Sequence, residues 1–103
     1  GAAEPDEYVA FTNVTGTAVD LTGWQLVSVQ GDQRYRFPDG ATIAGGATCR
    51  VYTNETHTEW CGFDWQSNQA VWRNSGDKAE IRDAGGALVD WWCYGDREDE
   101  CGG

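Results

Sequence analysis

The chain contains no methionine, one lysine (Lys78), one histidine (His57) and two prolines. Nowhere does it approach the roughly eighteen consecutive apolar residues of a membrane-spanning helix, so no membrane insertion is expected. A basic-then-apolar signal peptide is also missing. The sequence begins Gly1-Ala2-Ala3 and reads as a processed piece of something longer, with its targeting segments outside it. A single imidazole leaves nucleophilic catalysis with only His57 as a base, and no G-x-S-x-G elbow accompanies it. The missing C-x-x-C pair removes the ligand spacing of zinc ribbons. No twelve-residue calcium loop occurs either, so Asp32, Asp39, Asp77 and Asp83, which lie at or near glycine turns, are read as turn-formers. No segment carries a helical period.

Basic charge is scarce as well. Seventeen acids face 7 bases for a formal charge of -10, which repels phosphate backbones and anionic membranes and argues against a nucleic-acid partner. Every base but Lys78 is an arginine. A surface rich in carboxylates and almost free of ammonium groups stays soluble at high salt, where screening removes its self-repulsion. A salt-rich habitat and an ordinary acidic secreted domain are both compatible with it.

What is present suits one small domain. At 103 residues the chain can bury enough surface to fold alone, and is expected to be monomeric as an isolated domain. Trp 6, Tyr 4 and Phe 3 supply an aromatic interior, while Gly 14 suggests many tight turns. Apolar residues recur at period two in Val9/Phe11, Trp24/Leu26, Tyr35/Phe37, Cys49/Val51 and Ala79/Ile81, which is strand periodicity. Strands are predicted near 8-14, 18-21, 24-30, 33-37, 48-53, 70-73, 78-83 and 87-94, with turn signals between them at the rhythm of a sandwich or barrel. Gly85-Gly86 is the clearest hairpin, read as a two-residue turn. In V-D-W-W-C-Y either Trp91 or Trp92 is expected to face the core, because adjacent strand residues point to opposite sides, unless a bulge sends both inward. Residues 1–7 read as a linker, 8–94 as the folded domain, and 95–103 as an acidic tail that Cys101 can pin. Segment 54–69 is the one extended loop.

Four cysteines allow three pairings, and proximity favours Cys49 with Cys61 and Cys93 with Cys101. Buried free thiols are the alternative. Two bridges imply an oxidising compartment, hence a secreted or cell-surface protein.

In order, E-Y-V-A-F-T-N-V-T-G-T-A-V-D-L-T-G-W-Q-L, Y-R-F-P-D-G-A-T-I-A-G-G-A, R-V-Y-T, V-W-R-N-S-G-D-K-A-E-I-R-D and G-A-L-V-D resemble the lamin tail domain family, in particular its prokaryotic extracellular members. The likeness covers nearly all of residues 7–94. It implies an all-β, immunoglobulin-like β-sandwich, with Trp24 in the core, Asn13 and Asp20 as turn-formers, and Asp77 at the start of a strand pair. It brings no catalytic residues and no cofactor. Prokaryotic members occur on secreted or surface proteins, often beside hydrolase or nuclease domains, as docking modules. The four cysteines, segment 54–65 and the acidic tail depart from the family pattern.

Segment 54–65, N-E-T-H-T-E-W-C-G-F-D-W, concentrates the residue types of chemistry. If extended, Glu55, His57 and Glu59 project to one side and could meet a divalent cation; a solvated polar loop is the plainer reading, and no metal is assigned. Trp60, Phe63 and Trp65 are the candidate ligand-binding residues, since exposed rings stack on sugars or anchor protein partners. Their plainer reading is burial against the Cys49 to Cys61 bridge, while Trp24 and Trp72 read as core. Asn13-Val14-Thr15 and Asn54-Glu55-Thr56 match the acceptor triplet for N-linked sugars, the second in an exposed loop. The expected function is a non-catalytic extracellular or cell-surface attachment module that holds a larger protein to a protein or glycan surface. A carbohydrate-binding module acting through exposed tryptophans and a purely structural spacer are the alternatives.

Overall fold

The computed structural model describes residues 7–68, 71–72 and 76–95. Among these, nine β-strands and one short 3-10 turn make up the regular structure, and no helix is long and apolar enough to cross a membrane. The chain divides into two compact units, one drawn from residues 1–22 and 39–70, the other from 23–38 and 71–103.

The first unit holds β1 (Tyr8–Thr12), β2 (Val19–Asp20), β5 (Thr42–Ile43), β6 (Thr48–Tyr52) and β7 (Phe63–Asp64). Strands β1, β6 and β7 form one sheet, and β2 pairs with β5. The β1–β6 register places Val9 opposite Val51 and Phe11 opposite Cys49. Those four share one face, where Cys49 and Val51 are fully buried. Tyr8, Arg50 and Tyr52 fall on the other face because side chains alternate. Glu7, read as linker, is tied into the fold: its backbone carbonyl accepts the Thr53 N–H at 2.9 Å and its Oε1 the Thr53 hydroxyl at 2.8 Å.

Asn13 closes the turn after β1. Its Nδ2 donates to the carbonyls of Thr17, Ile43 and Ala44 at 2.8, 3.1 and 3.3 Å, and its Oδ1 accepts from the Thr15 amide and hydroxyl. Asp20 accepts the Thr22 N–H at 2.9 Å, and hydrogen bonds from the Thr22 side chain and backbone hold its carboxyl below the ordinary value. Both are the turn-formers that the family resemblance implies.

The second unit is a four-stranded antiparallel sheet in the order β4 (Gln33–Arg36), β3 (Gln25–Ser28), β8 (Gly76–Arg82), β9 (Leu88–Gly95). Leu26, Val27, Phe37, Val71, Trp72 and Ala79 are its buried apolar residues. Trp24 is only half-buried, and its carbonyl receives the Phe37 N–H at 2.8 Å. Asp77 is fully buried in β8; its carboxylate accepts Ser28 Oγ at 2.6 Å and the backbone N–H groups of Gln30 and Lys78 at 2.9 and 2.7 Å. Such pairing is what a buried carboxylate requires.

Six of the predicted strands match observed ones of similar position, and β2 is shorter than expected. Strands β5 and β7 are additions of two residues each. Val71 and Trp72, expected in a strand, are buried without strand pairing, and their neighbours 70 and 73 lie outside the described residues. The expected two-residue hairpin is a wider turn over 83–87. Asp83 builds it by accepting the Gly85 and Ala87 N–H groups on Oδ1 at 3.0 and 2.9 Å, and Gly86 supplies the left-handed residue at φ 87°.

Candidate functional site

Two groups of side chains could serve a function, one in each unit. The first grows out of β6. After Tyr52 the chain leaves the sheet, makes the 3-10 turn Thr58–Trp60, and returns as β7 beside β6 in parallel, with Val51 opposite Phe63 and Tyr52 opposite Asp64. Three backbone bonds close the excursion: Trp60 and Gly62 N–H groups to the His57 carbonyl, and the Trp65 N–H to the Tyr52 carbonyl at 2.8 Å. Cys61 adopts a left-handed φ of 83°, uncommon for a residue with a Cβ, and is bonded to Cys49 across a separation of 12 residues. The first expected disulfide is thus present. Cys101 lies outside the described residues; no cysteine among those described is free.

On the outer face of β6, the Arg50 guanidinium lies between two rings, 4.0 Å from the Tyr8 centroid and 3.9 Å from that of Trp60. Its Nη1 donates to the Tyr52 hydroxyl at 2.8 Å, while its buried Nε has no hydrogen-bond partner among the described residues. Tyr52 in turn stacks on the His57 imidazole with centroids 4.0 Å apart. His57 Nε2 meets Glu55 Oε1 at 2.7 Å and Nδ1 faces Glu59 Oε1 at 3.6 Å. The hydrogen bond to Glu55 raises the His57 pKa above its ordinary value; partial desolvation opposes this and Glu59 adds to it.

The acid-His-acid spacing therefore does bring the three side chains together. It brings them together around the ring instead of around a common point, because the two imidazole nitrogens diverge and each faces its own carboxylate. Among the described residues no group of three His, Cys, Asp or Glu side chains is arranged to hold a metal ion. Of the three candidate aromatics, Phe63 is buried, Trp60 is half-buried with one face against Arg50, and Trp65 is half-buried. They do not form one open surface.

The second group lies on β9, which among the described residues is one of the two edge strands of the four-stranded sheet. Its register with β8 sets Trp92 opposite Ala79, Trp91 opposite Glu80 and Tyr94 opposite Asp77, with an irregularity near Ile81 and Arg82 that leaves Val89 unpaired. Trp92 thus shares the face of the buried Ala79 and Asp77. Even so, Trp92 is 57% exposed and Trp91 48%, with Leu88 and Val89 also exposed. The expectation that one tryptophan faces the core is not met, because an edge strand has a neighbour on one side only and cannot cover a ring as large as indole. Asp90, on the same face as Trp92, is exposed and accepts the Trp91 N–H at 2.8 Å. The Trp92 and Tyr94 rings stack with centroids 5.2 Å apart and planes 27° from parallel. Sequence reading missed this pair; the available signal was that V-D-W-W-C-Y puts large aromatics on both faces of one strand, which a strand with a single covered face does not need.

The chain matches the family model described as Lamin Tail Domain over residues 1–96. No curated protein matches it. The matched span takes in every strand of both units, and the all-β, immunoglobulin-like β-sandwich implied by the resemblance is the fold class of the chain. The chain belongs to the lamin tail domain family, a family of non-catalytic immunoglobulin-like domains.

Proposed function

We propose that the domain is an extracellular attachment module that holds a larger protein to a protein surface, and that β9 is its contact strand. The observation that carries this reading is an edge strand with exposed Leu88, Val89, Trp91 and Trp92. Edge strands present unpaired backbone groups, and natural proteins usually blunt them with charge, proline or cover. Here Asp90 is the one charged residue of the strand. An extended partner segment can add to such an edge through main-chain bonds while large side chains set specificity. The Cys49–Cys61 disulfide supports an oxidising compartment, and the charge of -10 disfavours nucleic acid as the partner.

A carbohydrate reading has its own observation, the near-parallel Trp92 and Tyr94 rings, which offer a stacking surface to a sugar. Binding of the full chain to envelope preparations from its source, treated with protease or with glycosidase, separates the two. On the protein reading, protease abolishes binding, and Trp91→Ala and Trp92→Ala each weaken it by about thirtyfold, as loss of an aromatic hot spot of about 2 kcal/mol requires. Binding that survives protease and is lost to glycosidase transfers the function to the sugar reading. Wild-type binding by both variants sinks the assignment to β9.

A further inference from the structure

Two acceptor triplets for N-linked sugars occur in the sequence, and the structure gives them opposite characters. Asn13 is buried, with its Nδ2 engaged by three carbonyls and its Oδ1 by Thr15. A sugar on that nitrogen would replace a hydrogen needed for those bonds and would have no room. Asn54 stands in the bend that follows β6, is exposed, and makes no side-chain hydrogen bond among the described residues. The middle residue, Glu55, is turned away onto His57. Thr56 is exposed, with its hydroxyl donating to Asp64 Oδ2 at 3.1 Å, so the triplet is fixed at its far end while its acceptor amide stays open. The triplet has no regular secondary structure, and its strand-side end is anchored by Thr53, whose N–H and hydroxyl bond to Glu7.

We propose that Asn54 carries an N-linked glycan and that Asn13 does not. The reaction forms a bond between Asn54 Nδ2 and the anomeric carbon of an oligosaccharide carried on a polyprenyl phosphate or pyrophosphate. The bond from that carbon to the phosphate oxygen breaks, the lipid phosphate leaves with the electron pair, and Nδ2 loses one proton. No oxidant or reductant is involved. The inference rests on the extracellular reading above, since the lipid-linked donor and its transferase act on exported chains.

The test is glycopeptide mass spectrometry on the full chain recovered from its source after fractionation into secreted and intracellular pools. A parallel arm expresses it through a secretory pathway that transfers glycans to N-x-S/T triplets. After reduction and tryptic digestion, the peptide from Val51 to Arg73 is expected to carry the added sugar mass, and the peptide containing Asn13 to be bare. Asn54→Gln and Thr56→Ala should each remove the modification, while Thr56→Ser should retain it. A secreted, disulfide-bonded chain with bare Asn54 overturns the glycan alone. A chain that its source keeps intracellular and unmodified overturns the extracellular reading and the glycan with it. Sugar on Asn13 of a folded chain also refutes the assignment.

Discussion

Asp77→Ala should be among the most damaging single substitutions in the second unit, and its size can be worked from the hydrogen bonds. The carboxylate receives three donors: Ser28 Oγ at 2.6 Å and the amides of Gln30 and Lys78 at 2.9 and 2.7 Å. They do not all lose equally. Ser28 Oγ also lies 3.2 Å from the Val71 carbonyl, and its single hydrogen can turn there once Asp77 is gone. Each amide loses its carboxylate acceptor, and a buried N–H left without one costs about 1–3 kcal/mol when kept from water. Removing a buried carboxylate recovers some desolvation cost, so the net loss is about 3 kcal/mol against a total stability of roughly 5–15 kcal/mol. Asp77→Asn keeps an oxygen for both amides and presents its Nδ2 to Ser28 Oγ, which can accept while donating to Val71. It loses charge assistance only, about 1 kcal/mol. Guanidinium unfolding of the full chain, followed by circular dichroism, measures both. The reasoning fails if Asp77→Ala costs less than about 1 kcal/mol, or if the Asn variant is as damaged as the Ala variant.

Three further outcomes follow from other sites. Cys61→Ser opens a loop of separation 12 at an exposed position, so it loses the cross-link with little packing; chain entropy puts the loss at about 3 kcal/mol, or roughly 12 to 24 °C in Tm for a domain of this size, and a shift of under about 5 °C contradicts that origin. His57 has its pKa raised in the folded chain by Glu55 and Glu59, so its contribution to stability is fully present below the unfolded value of about 6.5 and is lost as pH rises through the folded value; an NMR titration should find that value above the ordinary one in the wild type and lower in Glu55→Gln. A Cβ on Gly45 would meet the Gly16 carbonyl carbon at 2.6 Å and the Thr17 nitrogen at 2.8 Å, whereas on Gly46 it meets nothing within 4 Å but sits at φ 76°. Gly45→Ala should therefore cost more, about 2–3 kcal/mol for a backbone clash against about 1 kcal/mol for the strained φ, and thermal unfolding that ranks them in reverse would refute the close approach.

How much of this was legible in the sequence depended on how local each signal was. Alternation such as Tyr8-Val9-Ala10-Phe11 is written within one strand, and the long strands were readable for that reason. Phe63 and Asp64 form β7 only because β6 lies beside them, and two residues in a parallel pair leave no local pattern. Proximity chose the Cys49–Cys61 bridge correctly because the loop between them is short. The exposure of Trp91 and Trp92 follows from the order β4-β3-β8-β9, a property of the whole sheet. Spacing placed Glu55, His57 and Glu59 side by side but carried no information on which way the ring nitrogens point, and that direction separates a metal site from a gripped imidazole.

The same geometry explains why the segment richest in chemical residue types offers the least free chemistry. Lys78 and Arg82 both serve Glu80, at 3.4 and 2.9 Å, and Arg34 bonds Gln25. Arg50 has no carboxylate partner among the described residues, in a chain with a net charge of -10. It is held instead by two aromatic faces and the Tyr52 hydroxyl, at the cost of a buried Nε without a partner. Planar stacking of this kind is available to arginine and poorly to lysine. Arg50 joins β6 through Trp60 to the excursion, His57 joins the same excursion through Tyr52, and Cys61 staples it. Arg50, His57 and Glu55 are thus taken up in holding the loop. Asn54 makes no side-chain hydrogen bond among the described residues, and Leu88, Val89, Trp91 and Trp92 of β9 are exposed, which is why the glycan and the attachment contact are proposed at those two places.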